Sequence, residues 1–373
     1  MTSTPPPPLL IRELPPPPAP GLSGRLTGIR AVAGLEIRQR LRSGRWQILL
    51  GIWFLLLLGL TALVRANVDV VDEFGGAERD RGPAMFGVLM LVVLGLSLLI
   101  VPSLTSASVN GDRDRGVLAT LQVTRLSALE IGLGKFVAAW GAALVFLALT
   151  LPLVGWCMAE GGTPVGRVLV VLVVVALLLG VAAALGLALS ALLARTTTSA
   201  VLAYLTVFAL TSGTLLAFGL AAAATRETVT RTYSVPQIDP TTGATTYVED
   251  SYETQEIRPD RVWWVLAPNP FVVLADAAPV APRAQAPPGL DVADDPLDPL
   301  GSISAAVRDL RRPPDYDDGP AYSLGESDEG DRGPLVWPAG LAIDLVLGGL
   351  ALLVVVRRLR TPSRRLPRGQ RVA

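Results

Sequence analysis

An all-α polytopic membrane protein with six transmembrane helices is the fold class this sequence predicts, and three observations carry that reading. Hydrophobic residues make up 51% of the 373 positions and only 17% are charged, against about 25% charged in soluble domains. Six stretches are long and apolar enough to cross a bilayer core of roughly 30 Å, which takes about 20 helical residues. Arginine is also divided very unevenly between the connections on the two sides.

The six stretches are Trp46 to Val64, Met85 to Leu104, Phe136 to Met158, Val168 to Leu193, Ala200 to Ala224 and Leu335 to Val356, and all but the last lack a charged residue. In hydrocarbon every backbone amide must be satisfied within its own segment, so these are helices rather than strands. Six spans put both termini on one side. The short connections of that side carry 19 Arg and Lys, those of the other side 4, and the excess of positive charge marks the cytoplasm. Both termini and the loop from Thr105 to Lys135 are therefore expected in the cytoplasm. The Thr225–Pro334 loop is too long to obey that rule; it is acidic, with 20 Asp and Glu against 9 Arg, and is expected outside.

Taken in order, residues 1–34 read as a Pro-rich disordered cytoplasmic tail, because the runs Pro5–Pro8 and Pro15–Pro18 favour extended polyproline II and build no core. Residues 35–224 hold a basic elbow and spans one to five. In the elbow, Leu35, Ile37, Leu41 and Trp46 are interleaved with Arg38, Arg40, Arg42 and Arg45, which suits a helix lying at the anionic inner leaflet. Gly186 with Ser190, and Gly180 with Ala184, are pairs of small residues four apart in the fourth span and favour close helix contact. Thr211, Ser212 and Thr214 stand near the middle of the fifth span, either packing through hydroxyl bonds or lining a path. Asp344 is the one ionisable residue inside a span, about two turns from its outer end; an acid there is a functional candidate or a water-reaching structural group.

Residues 225–334 form the external loop. Alternating β-branched and polar residues on either side of Asp239–Gly243 predict a β-hairpin. Arg261 to Pro279 is apolar but proline-broken and too short to span, which suits a pair of interfacial or re-entrant helices. The remainder is rich in Pro, Asp and Gly and reads as disordered, apart from a short helix at Ser302–Arg312. The sixth span, 335–356, leads into a basic cytoplasmic tail, 357–373.

The chain has no histidine and one cysteine, Cys157, within an apolar run. That excludes Cys/His zinc sites, an intrachain disulfide and histidine-based acid–base catalysis, and no cofactor or nucleic-acid partner is expected. Lys135 is the only lysine. That bias, with the Ala, Pro and Gly content, points to a GC-rich bacterial genome and hence to a bacterial plasma membrane.

Thr105 to Lys135 is the most informative loop. Gly116 closes the run Asp112-Arg113-Asp114-Arg115, and Val117, Leu118 and Leu121 then share one helical face, with Asp112 and Asp114 near the positive N-terminal end of that helix. Ser127 and Glu130 form an S-x-x-E capping box, with Leu126 and Ile131 at the staple positions around it. The layout is helix, tight turn, capped helix.

This stretch resembles the signature loop of type-2 ATP-binding cassette (ABC) exporter permeases. In that family an acidic–arginine pair precedes Gly-Thr-Leu, a leucine-rich turn, Thr-Pro-Leu-Ser and an Ile-x-x-Gly-Lys entering the next span. Here those places hold Asp112 and Arg113, Gly116-Val117-Leu118, Thr124-Arg125-Leu126-Ser127 and Ile131 to Lys135. Val117 replaces the threonine and Arg125 the proline. The elbow, the six spans and Asn269-Pro270-Phe271 after the fifth span extend the resemblance over most of the chain. It implies a dimer with a second permease subunit, each subunit gripping a separate cytoplasmic ATPase through this loop. The implied coupling residues are Asp112, Arg113, Asp114, Gly116, Leu118, Leu121, Leu126, Ser127, Glu130 and Lys135.

No GxxxxGK[ST] phosphate loop is present: the one Gly-Lys pair, Gly134-Lys135, has Leu129 in place of the first glycine and Phe136 in place of Ser/Thr. The chain therefore borrows energy from a partner or needs none. The alternatives are an ATP-independent secondary transporter or channel, which the charge-free first five spans and the lack of an inverted repeat disfavour, and a membrane enzyme, for which Asp276, Asp344 and the loop carboxylates form no recognisable constellation. The spans give no reason to expect a charged cargo.

Overall fold

Helices long and apolar enough to cross a membrane recur six times among the described residues: Trp46–Val68, Gly82–Asp114, Ala128–Ala159, Val165–Leu192, Thr196–Ala224 and Trp337–Leu359. The computed structural model describes residues 22–41, 44–75, 80–118, 126–238, 245–279, 298–311 and 334–360. The polyproline runs, most of the Pro/Asp-rich external segment, the basic C-terminal tail, and Leu121 with Arg125 lie outside them.

In chain order the helices are α1 (Leu22–Leu41), α2 (Gly44–Gly75), α3 (Gly82–Thr105), α4 (Asn110–Asp114), α5 (Ala128–Leu149), α6 (Leu151–Ala159), α7 (Val165–Leu192), α8 (Thr196–Phe208), α9 (Thr214–Ala224), α10 (Pro270–Ala277), α11 (Pro299–Asp309) and α12 (Trp337–Leu359). Two departures from regular helix fall inside spans. The third span breaks between α5 and α6 at Thr150, because Pro152 has no N–H to return to its fourth-preceding carbonyl, that of Ala148; the Thr150 hydroxyl donates to the neighbouring Leu147 carbonyl (2.6 Å). The fifth span changes to a π-turn at Ala209–Gly213 between α8 and α9.

The elbow helix is longer than the sequence suggested. It begins at Leu22, so residues 22–34 belong to it and not to the Pro-rich tail. It lies along α5 at close range: a Cβ on Gly134 would sit 2.6 Å from the Val32 Cβ, and one on Gly28 would sit 3.0 Å from the Glu130 side chain. The charged loop also differs in detail. Asp112 and Asp114 lie within the short helix α4, ahead of Gly116 (φ +73°), not at the entry of a helix after it.

α7 is the centre of the bundle, packed against α3, α5, α8, α10 and α12. The second and fourth spans are each 61% buried, the first and fifth only 17% and 11%, so the latter pair form the rim. The small-residue positions in α7 do make close contacts: a Cβ on Gly186 would meet the Thr105 hydroxyl at 2.0 Å, and Gly180 lies against the Trp140 indole, whose Nε1 donates to the Ala176 carbonyl. Trp46 and Trp53 both present edges to Phe146, at 5.2 and 5.1 Å between centroids, and fix the first span to the third.

Beyond the fifth span, β1 (Arg226–Ile238) and β2 (Thr245–Ile257) pair antiparallel from Arg226↔Ile257 to Ile238↔Thr245. The expected pair of interfacial helices is instead two 3-10 turns, Pro259–Arg261 and Trp263–Val265, followed by one helix, α10. The short helix expected at Ser302–Arg312 is α11.

Candidate functional site

At the end of the bundle that carries α4, one buried cation ties three elements together. Lys135 enters on the second turn of α5 and its side chain is 1% exposed. Its Nζ donates to Glu36 of α1, to Asp112 of α4 and to the Ser108 carbonyl (3.0 Å). Arg115 lies on the solvent side of Asp112 and donates to it at 2.8 Å. A lysine so deeply buried is tolerated because all three ammonium protons have acceptors and two of those are anionic.

A second tie runs to α7. The Ser190 hydroxyl accepts from the Val109 and Asn110 backbone amides (3.0 and 3.3 Å) and donates to Asn110 Oδ1 (3.1 Å). The start of α4 is thus seated on the fourth span. The capping box is formed as its residues predict: Ser127 Oγ accepts from the Glu130 amide, and Glu130 Oε2 accepts from the Ser127 amide and hydroxyl. Glu130 is itself buried, under Gly28 of α1.

The ten residues implied in coupling therefore divide. Asp112, Glu130 and Lys135 are engaged inside the chain, and Leu118, 2% exposed, belongs to the chain's own core. Asp114, Gly116 and Ser127 are exposed, and Arg113 and Leu126 are half-buried. Leu121 is outside the described residues. Among the described residues of the loop, the surface is polar at α4 and apolar around half-buried Val117 and Leu126 and the exposed Leu129.

The polar residues of the fifth span are brought to a different use. Thr211 and Thr214 donate their hydroxyls to the Val207 and Leu210 carbonyls of their own helix. Asn269, 1% exposed, donates from Nδ2 to the Thr211 carbonyl and the Thr214 hydroxyl (both 2.8 Å), while its Oδ1 accepts from the Phe271 and Val272 amides and caps α10. One side chain thus joins the π-turn to α10. Ser212 is half-buried beside them. Thr211 also lines an intramembrane groove that reaches Asp344.

The hairpin end holds ion pairs that sequence reasoning missed. Arg167, at the start of α7, is fully buried and donates through Nη2 to both oxygens of Asp298 (2.6 and 2.7 Å) just before α11. Asp276 of α10 accepts from Ser304 and Arg308 of α11 and from the Val336 and Trp337 amides that open α12. Its four donors are shared between both oxygens and fasten three helices together. Glu160 accepts from Arg65 (2.8 Å) and Trp156 (3.0 Å) with Arg81 at 3.9 Å, and the Arg65 hydrogen bond, with the neighbouring positive charge, holds its carboxyl below the usual range. Arg258 does the same for Asp260. The pairing of Arg167 with Asp298 spans 131 positions, and no local pattern announces it; an arginine just inside an apolar run was the available signal.

Six apolar helices bound at both ends by buried ion pairs, with the charged helix α4 seated at one end, define a polytopic membrane protein. Residues 30–282, more than half the chain, match the family of ABC-2 family transporter proteins. The chain belongs to that family, whose members are membrane subunits without an ATPase domain and generally work with an ABC ATPase. No curated protein matches it.

Proposed function

We propose that this chain is the membrane-spanning permease subunit of an ABC exporter, that its Thr105–Lys135 loop lies in the cytoplasm with both termini, and that a separate ATPase docks there. A second permease subunit, alike or different, completes the translocation path. The observation that carries the reading is the seating of α4: Lys135 ties it to α1 and α5, and Ser190 ties it to α7. A push delivered at α4 reaches three elements through buried contacts rather than through slack chain. Docking falls on the exposed residues, Asp114, Gly116 and Ser127 with Leu129, while Asp112, Glu130 and Lys135 transmit. Export, as opposed to uptake, follows from the resemblance of the loop to exporter permeases.

Two measurements test this. The tagged chain, extracted from native membranes in a mild detergent, is expected to bring an ABC ATPase with it; transport retained without any such ATPase would contradict the reading. For orientation, single cysteines at Asp114 and Asp260 in a Cys157→Ala background are exposed to a membrane-impermeant maleimide in intact cells. Labelling of Asp260→Cys alone is expected, and labelling of Asp114→Cys from outside would reverse the topology.

A further inference from the structure

Asp344 has no part in either end of the bundle. It sits two turns into α12, 1% exposed, and neither carboxylate oxygen has a hydrogen-bond partner among the described residues. The two basic side chains buried elsewhere, Lys135 and Arg167, are held in their own ion pairs. An unpaired acid at such depth is costly and is retained where it faces a path or a ligand.

What it faces is a groove between the second, fourth, fifth and sixth spans, with about 440 Å³ of unfilled space, mouth included. The walls are apolar, from Leu98 of α3, Leu178 and Val181 of α7 and Val207 of α8. The side-chain polar atoms on those walls are hydrogen-bond acceptors. Thr206 and Thr211 spend their hydroxyl protons on the Leu202 and Val207 carbonyls and keep only lone pairs. Pro102, also on the wall, has no N–H to return to the Leu98 carbonyl. No lining side chain other than those two hydroxyls carries a proton donor. Carboxylate, hydroxyl oxygens and apolar walls together are complementary to one chemistry: a positive head that donates hydrogen bonds, attached to an apolar body.

We propose that this groove binds an amphipathic monocation, a primary alkylammonium in its simplest form, with the ammonium on Asp344 and the chain along the apolar wall. As the transported class, it rests on the permease reading; as a binding site, it does not. The fifth span forms the outer wall of the groove and is the least buried of the six described spans. The groove is narrow along its length, so the ligand has to part the fifth span from the fourth. The π-turn at Ala209–Gly213 borders the groove and is a point where a helix can bend.

The test is equilibrium binding of tritiated decylamine, protonated at neutral pH, to the full chain in phosphatidylcholine nanodiscs, with empty nanodiscs subtracted. Saturable binding is expected. Asp344→Asn keeps the shape and removes an ionisable group from a buried position, so it folds, and it is expected to weaken decylamine binding by about tenfold or more, while Asp344→Glu restores most of it. Decanol, of the same length and uncharged, is expected to bind wild type and Asp344→Asn alike. Equal decylamine affinity for wild type and Asp344→Asn, or no binding above empty nanodiscs, overturns the proposal. ATPase co-purification from the same membranes is expected to be unchanged in Asp344→Asn. Failure of binding with the ATPase retained sinks the ligand class alone, and absence of the ATPase with binding intact sinks the permease reading alone.

Discussion

At the α4 end, Lys135 meets Glu36 and Asp112, with Arg115 bridging outward to solvent; at the hairpin end, Arg167 meets Asp298, and its Nε and Nη1 have no hydrogen-bond partner among the described residues. The first clasp joins a loop to two helices through one cation and two anions. It is a tie whose outer edge is wet and whose members come from three elements. The second is drier and fastens α11 over the ends of the spans, with Asp276 holding α10, α11 and α12 from the side. The two clasps thus differ in what they join: the first ties a short loop helix to the spans, the second fastens α11 over their ends.

Breaking them separates the two ends. Lys135→Met has the largest expected effect: it leaves Glu36 and Asp112 without their shared cation, and removal of one partner from a buried pair costs about 3–5 kcal/mol. Arg167→Met is expected to cost somewhat less, about 3 kcal/mol, because it also removes two buried guanidinium nitrogens that have no hydrogen-bond partner among the described residues. The pairing itself is then isolated by Arg167→Met/Asp298→Asn, which is expected to recover much of that loss. Thermal unfolding in mild detergent, followed by tryptophan fluorescence, measures all three. A Lys135→Met protein as stable as wild type would remove the clasp at the α4 end from this account.

Asn269→Ala comes next. It removes the cap of α10 and two bonds to the fifth span, for about 1–2 kcal/mol, and its effect should be local: faster amide exchange over the π-turn and α10, with the α4 end unchanged. Glu160→Gln is the smallest, about 1 kcal/mol or less. Its carboxyl is depressed by Arg65, so its contribution is complete above the ordinary value of 4.5 and fades as the pH falls below it. The wild-type and variant melting temperatures should converge in acid; a gap that widens there would contradict the assignment.

The contrast between the ends also explains what the sequence made legible. The spans follow from composition, and the Ser127–Glu130 box follows from a spacing of three, so both could be read directly. Lys135 stood out as the lone lysine beside a charged run 23 positions away. Ser190 was read for its small size, and its hydrogen bonds to α4 follow from tertiary placement that spacing does not encode. Periodicity puts Leu118 on an apolar helical face and the resemblance makes it a coupling residue, but periodicity gives the face and not the direction in which it points; it is buried. The start of α1 at Leu22 was hidden because Gly24, Gly28 and Gly34 lower helix propensity, while Gly28 there earns close contact with Glu130. Asn269, Asp276 and Asp298 lie in the long loop, where partners are set by how the chain returns to the bundle.

The central claim is that the exposed face around Asp114 and Ser127 receives the ATPase. Its most direct test places a photo-crosslinking amino acid at Asp114 in one chain and at Asp260, at the hairpin end, in another, and irradiates native membranes. A covalent adduct with an ABC ATPase at Asp114 and none at Asp260 is the predicted result. An adduct at neither site, in membranes from which the ATPase still co-purifies with the chain, would place the docking surface elsewhere and contradict the account.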